Sequence, residues 1–216
     1  MNVYIIIGIL GVVSGLLCAA ADVPLAYSGE EKEKRKLAVG RVSAWWTKVS
    51  EDRFSLSFWL SFIGQPGTYL TMWMLAELIG RNSFGLSLAL KINTFISAYT
   101  GLLFHVTACT KPVVYRSVFG AVSEAEAKRA ADAAGTYAVV PSVISAAALF
   151  LGTTVIMVIA ILSGVLNVPK FFVLFNPVTA AIILGLLKMT GMRIVGPLGV
   201  GFALFAVVLI TAGILL

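Results

Sequence analysis

Six stretches of this chain are long and apolar enough to cross a lipid bilayer, and no other feature limits its folding as strongly. A helical span needs about 20 apolar residues to bridge roughly 30 Å of hydrocarbon. Runs of that kind fall at residues 3–25, 54–80, 84–110, 136–164, 170–189 and 194–216. They are continuous rather than alternating, and each is about twice the length of a membrane β-strand, so a barrel is excluded and helices are predicted. Composition agrees: 59% of residues are hydrophobic, 12% are charged, and mean hydropathy is +0.98. Soluble domains carry roughly a quarter charged residues. The expected fold is an all-α polytopic membrane protein, a single bundle of six helices over residues 1–216 with no separate water-soluble domain.

Lysine and arginine set the expected orientation. Lys32, Lys34, Arg35, Lys36, Arg41, Lys48, Arg53, Lys111, Arg116, Lys128, Arg129, Lys188 and Arg193 follow the first, third and fifth segments. Only Arg81 and Lys170 lie on the other side, and Lys91 falls within the third segment. Basic residues concentrate in cytoplasmic loops, so loops 26–53 and 111–135 are expected in the cytoplasm and both termini outside. The net charge of +6 then reports topology and attraction to anionic headgroups, not nucleic acid. Ala19 and Ala21 fit a small-x-small cleavage rule, but no basic residue precedes the first apolar run, and export would put the "EEKEKRK" loop on the wrong side. The first segment is therefore read as a genuine span.

The two long loops differ in kind. In loop 26–53, Trp45 and Trp46 beside Lys48 suggest a stretch lying at the headgroups. In loop 111–135, Ser123 and Glu126 have capping-box spacing, alanines follow, and Gly135 can end the turn, so a short surface helix is expected.

Polar residues inside spans are costly and usually face the bundle interior or a cavity. Glu77 and Lys91 flank the short turn "GRNS" and are expected to form an ion pair once the lysine stem reaches outward. His105, the single histidine, falls near the inner end of the third segment, while Asp22 ends the first on the same side. Together they are candidates for an acid–base pair, the alternative being a packed core histidine bonded to a neighbouring helix. Tyr27, Tyr137 and Ser142 lie at the same level. Two interruptions, "IGQPGTY" with Gln65 and Pro66 and "FNPV" with Asn176 and Pro177, occupy the second helix of each three-helix half. Broken helices in inverted halves point to a binding site at the membrane midplane. Gly8, Gly11 and Gly15 recur on one helix and permit close packing. Cys18 and Cys109 match no metal-ligand spacing, and one histidine supplies only one strong haem axial ligand, so neither metal nor cofactor is expected.

The motifs "AADVPLAYSG", "RFSLSFWLSFIGQPGTYL", "GLLFHVTACTKPVVY" and "FNPV" resemble a bacterial family of six-span membrane proteins classed as a domain of unknown function. That resemblance implies six spans in a prokaryotic cytoplasmic membrane, and Asp22, His105 and Asn176 coincide with the family's recurring polar positions. Three functions are open at this stage. One is binding or carriage of a small molecule or lipid in a cavity lined by Gln65, Asn93, His105 and Asn176. The second is a membrane-embedded enzyme acting on a lipid-like substrate through His105 and Asp22. The third is a structural or partner-binding subunit without a ligand.

Overall fold

The computed structural model describes residues 2–26, 44–190 and 196–216. Most of loop 26–53 lies outside the described residues, including Tyr27, Lys32, Lys34, Arg35, Lys36 and Arg41. Arg193 and the first two residues of the sixth predicted segment are outside them as well.

The described residues are all-α. Long helices α1 (Val3–Ala26), α2 (Asp52–Gly80) and α3 (Phe84–Val118) are followed by the short α4 (Glu124–Gly135). A nearly continuous rod comes next, made of α5 (Val139–Ala146), a π-helical turn (Ala147–Gly152) and α6 (Thr153–Leu162). The chain ends with α7 (Pro177–Met189) and α8 (Pro197–Ile214). Four helical stretches are long and apolar enough to cross a membrane: Val3–Leu25, Phe84–Val118, Glu124–Leu162 and Pro197–Ile214. The other two predicted segments are helical but differ in character. α2 is long enough and interrupted by polar residues, and α7 is apolar and short.

In α2 the small residues Ser57, Ser61, Gly64, Thr68 and Thr71, four of them hydroxylated, are buried, while Leu56, Trp59, Phe62, Ile63 and Trp73 face outward. α3 repeats the arrangement, with Ser87, Thr94, Ser97 and Thr100 inside and Ile92, Phe95 and Tyr99 outside. A soluble helix does the reverse. Three buried hydroxyls of α3 are satisfied within their own helix: Thr94, Ser97 and Thr100 each donate to the carbonyl four residues earlier, at 2.7 Å in every case. Such back-bonding lets a hydroxyl sit in a dry interface without an unpaired proton.

Helices α1, α2 and α8 approach one another on small residues. A Cβ added to Gly15 would fall 2.6 Å from the Ala203 nitrogen and 2.7 Å from the Gly199 carbonyl, and one added to Gly199 would fall 2.6 Å from the Gly15 carbonyl. Gly11 packs against Thr71 and Ala206 in the same manner. Gly15 and Gly199 admit direct backbone contact and Gly11 close side-chain contact, as the spacing of the α1 glycines implied. Around this seam the larger core gathers Met72, Leu75 and Ile79 of α2, Met157 and Ile161 of α6, and Phe202, Phe205 and Leu209 of α8.

A second, smaller core closes the opposite end from the termini. It contains Leu25, Trp46, Phe54, Cys109, Tyr115, Ala127 and Ala131. Trp46 is only 2% exposed, with its ring edge-on to Phe54 and Tyr115. Its carbonyl accepts a 2.8 Å bond from Arg116 Nη1, which also reaches the Val49 carbonyl. The headgroup-anchor reading of Trp46 is thereby corrected: the indole packs under α4 because Arg116 holds its backbone over the helix ends. The Trp45 side chain lies outside the described residues.

Several boundaries also shift. α3 continues eight residues past the expected end at 110, carrying Pro112 within it. The connection to α4 is correspondingly short. α4 itself begins as foreseen, with Ser123 and Glu126 forming a complete capping box. The Ser123 hydroxyl and amide donate to the Glu126 carboxylate and hold it below the ordinary glutamate range. At the fifth segment the proline does not interrupt a helix. Lys170–Leu174 forms a 3-10 turn, Asn176 caps α7, and Pro177 occupies its first turn, where a missing N–H costs nothing.

Candidate functional site

Near the Trp46 end of the bundle, α1, α2 and α3 meet at a buried polar node. The Ser57 hydroxyl donates to the Ala21 carbonyl at 2.7 Å. A hydroxyl has one proton, so Ser57 Oγ can only accept from its other neighbours. His105 Nε2 lies 3.3 Å from that oxygen and 3.2 Å from the Ser57 carbonyl. The network therefore assigns the ring proton to Nε2, shared between the two acceptors. Cys109 adds a weak sulfhydryl donor to Ser57 Oγ at 3.6 Å. Ser57 is fully buried, and His105 is 8% exposed. The node ties three helices together and leaves Ser57 with no surface from which to attack a substrate.

Asp22, next to Ala21 in α1, turns its side chain to a different neighbour. Its carboxylate lies against Gly196, the residue that precedes α8, so tightly that no Cβ could be accommodated there. The Gly196 amide also donates to the Ala19 carbonyl at 3.4 Å. His105 and Asp22 thus turn to different helices: the imidazole to α2, the carboxylate to the start of α8. Tyr137 is almost wholly exposed at 89%, and the Ser142 hydroxyl donates to the Ala138 carbonyl of its own helix, so neither joins them.

The four residues expected to line one midplane cavity each have a separate local role. Gln65 Nε2 donates to Ser61 Oγ at 2.8 Å within α2. Asn93 Nδ2 donates to the Ala148 carbonyl at 3.0 Å and to Thr153 Oγ1 at 2.8 Å. It clasps the π-turn at a carbonyl that also accepts from the Thr153 backbone amide and hydroxyl. Asn176 accepts from the Thr179 amide at 2.9 Å and donates to the Val173 carbonyl at 2.6 Å. These contacts do not bring Gln65, Asn93, His105 and Asn176 to a common space. Glu77 and Lys91 do meet, with 2.7 Å between Nζ and Oε1 and side-chain exposures of 45% and 27%. Lys91 Nζ also stands 5.2 Å from the centre of the Trp73 ring, a cation–π distance.

Space for a ligand is found instead on the flank of the bundle. A groove of about 310 Å³ opens between the first turns of α2 and the last turns of α3. Phe54 and Cys109, both buried, form its floor, Phe58, Val106 and Val113 its walls, and Glu51, Ser55 and Thr110 its exposed rim. That volume is at the lower end of ligand pockets, roughly 300–1,000 Å³. A second cavity of about 60 Å³ sits at the other end, among Leu78, Arg81, Asn82 and Leu216, too small for more than solvent. Among the described residues no cluster of three or more His, Cys, Asp or Glu is placed to hold a metal ion.

Sequence reasoning missed Ser57 and the groove. A signal for Ser57 exists: Ser57, Ser61, Gly64, Thr68 and Thr71 recur at alternating intervals of four and three, which marks one face of α2 as a seam. For the groove there is no such signal, because it is made where two helices diverge.

A family model described as a family of unknown function (DUF6796) matches residues 1–216, and the chain belongs to that family. No curated protein and no solved structure matches it.

Proposed function

We propose that this member of DUF6796 is a six-helix integral membrane protein that holds a lipid-like amphiphile in the groove between α2 and α3. The observation that carries the binding reading is the groove itself, whose polarity changes along its length. From Glu51 to Phe58 on α2 it descends about 10 Å at 1.5 Å per residue, from a carboxylate and two hydroxyls at the rim to phenylalanine and valine at depth. An amphiphile entering tail-first from the bilayer meets the same gradient.

Membrane insertion is supported by the inverted polarity of α2 and α3. α2, with 29 residues, extends about 43 Å as a helix, long enough to span despite its hydroxyls. α7 supplies about 20 Å from 13 residues, and the preceding five-residue 3-10 turn adds about 10 Å, so together they approach the bilayer thickness. Counting both gives six spans. With the basic loops in the cytoplasm, both termini lie outside, and the cytoplasmic membrane of a prokaryote is the proposed location. His105 and Asp22 are engaged with helix neighbours rather than turned into the groove, which favours binding over catalysis.

The test is native mass spectrometry of the chain released from membranes in mild detergent. Retained lipid is expected on the wild type and its loss on Ser55→Trp, which fills the groove mouth from an exposed position. Equal lipid on both proteins, with equal melting temperatures, would overturn the reading.

A further inference from the structure

We infer that the groove selects amphiphiles whose head carries an ammonium group, of the ethanolamine type, with Glu51 as its counter-ion. The inference rests on the lipid-binding reading and adds the chemistry of the head.

Glu51 occupies the residue before α2, where a side chain often folds back to cap the helix, yet its carboxylate makes no capping hydrogen bond. Four other described acids at this end are engaged. Asp52 accepts from Ser50 Oγ at 3.0 Å, Asp132 pairs with Lys111 at 2.9 Å, Glu124 pairs with Lys128 at 2.6 Å, and Glu126 accepts from Ser123. Among the described residues no side-chain hydrogen bond or ion pair engages the Glu51 carboxylate, and Glu51 is the one charged residue lining the groove. Arg116, the nearest arginine on α3, is committed to the Trp46 and Val49 carbonyls. A head seated over this rim therefore meets negative charge without a neutralising cation in the lining. An anionic head is repelled there, a neutral one gains nothing, and an ammonium is attracted. The hydroxyls of Ser55 and Thr110 stand at the same rim, beside the level where a glycerol backbone would lie when the tail occupies the Phe58–Val106 depth.

The experiment uses the full chain reconstituted into vesicles of equimolar phosphatidylethanolamine and phosphatidylglycerol with identical acyl chains. The ratio of the two lipids retained after mild extraction is read by native mass spectrometry. An exposed ion pair supplies a preference of up to about fivefold, so enrichment of the ethanolamine lipid by about three- to fivefold is expected. Glu51→Gln should return the ratio to that of the vesicle while the total lipid per chain stays the same. A wild-type ratio equal to the vesicle's, or a preference that survives Glu51→Gln, overturns the inference and leaves the lipid site standing. Absence of any retained lipid from both proteins instead removes the groove reading on which it rests.

Discussion

His105 joins α3 to α2 through an Nε2 proton shared by both oxygens of one serine, and through that serine to α1. Replacing His105 by alanine removes the donor and leaves a hole in a packed interface, at a cost of about 1–3 kcal/mol. The expected outcome is a lower melting temperature in detergent with lipid content per chain unchanged; strong lipid loss at an unchanged melting temperature would contradict it. Glu77 and Lys91 make a weaker bond than their 2.7 Å separation suggests, because nearly half of the glutamate side chain is exposed. A double-mutant cycle of Glu77→Gln and Lys91→Met should give a coupling of about 1 kcal/mol or less, distinct from zero. This pair was legible in the sequence because a short turn fixes α2 and α3 as antiparallel neighbours. The partner of His105 was not: many serines were available, and sequence carries no register between α2 and α3 at that distance from their turn.

At the scale of elements, two glycines separate packing from conformational cost. Gly199 on α8 stands in backbone contact with α1, so Gly199→Ala must push the helices apart, at about 1–3 kcal/mol. Gly185, inside α7, has nothing within 4 Å of where a Cβ would sit. Gly185→Ala should stabilise by roughly 0.5–1 kcal/mol through lost freedom of the unfolded chain. Thermal melts of the two variants should therefore move in opposite directions. Helix existence was readable throughout, since apolar run length fixes it. The ends were less so: the third apolar run closes at 110, yet α3 continues through Pro112 to Val118, giving up a single backbone hydrogen bond at the proline. Pro177 reads as a break yet begins α7 under the Asn176 cap, because the same ring that disrupts a helix interior is preorganised for its first turn.

For the molecule as a whole, the six-span reading places α4 and the connection at Asn167 on opposite sides of the bilayer. In sealed right-side-out vesicles, Asn167→Cys should react with an impermeant maleimide, and Arg129→Cys should react only after permeabilisation. Equal labelling at both positions would rule out the arrangement. The all-α character and the long apolar helices were legible because composition and run length act on the whole chain, whereas the groove depends on how two helices splay, which no run of residues records. The hydroxyl seam of α2 has one more consequence, for biogenesis. A segment presented alone to the insertion machinery is judged by its own apolarity, and α2, with its serines, threonines, Gln65 and Asp52, is poorly suited to leave the translocation channel by itself. Its polar face is covered by α1 and α3. On the six-span reading, entry of α2 into lipid is thus tied to the arrival of its neighbours, and the first three helices partition together, as one cargo.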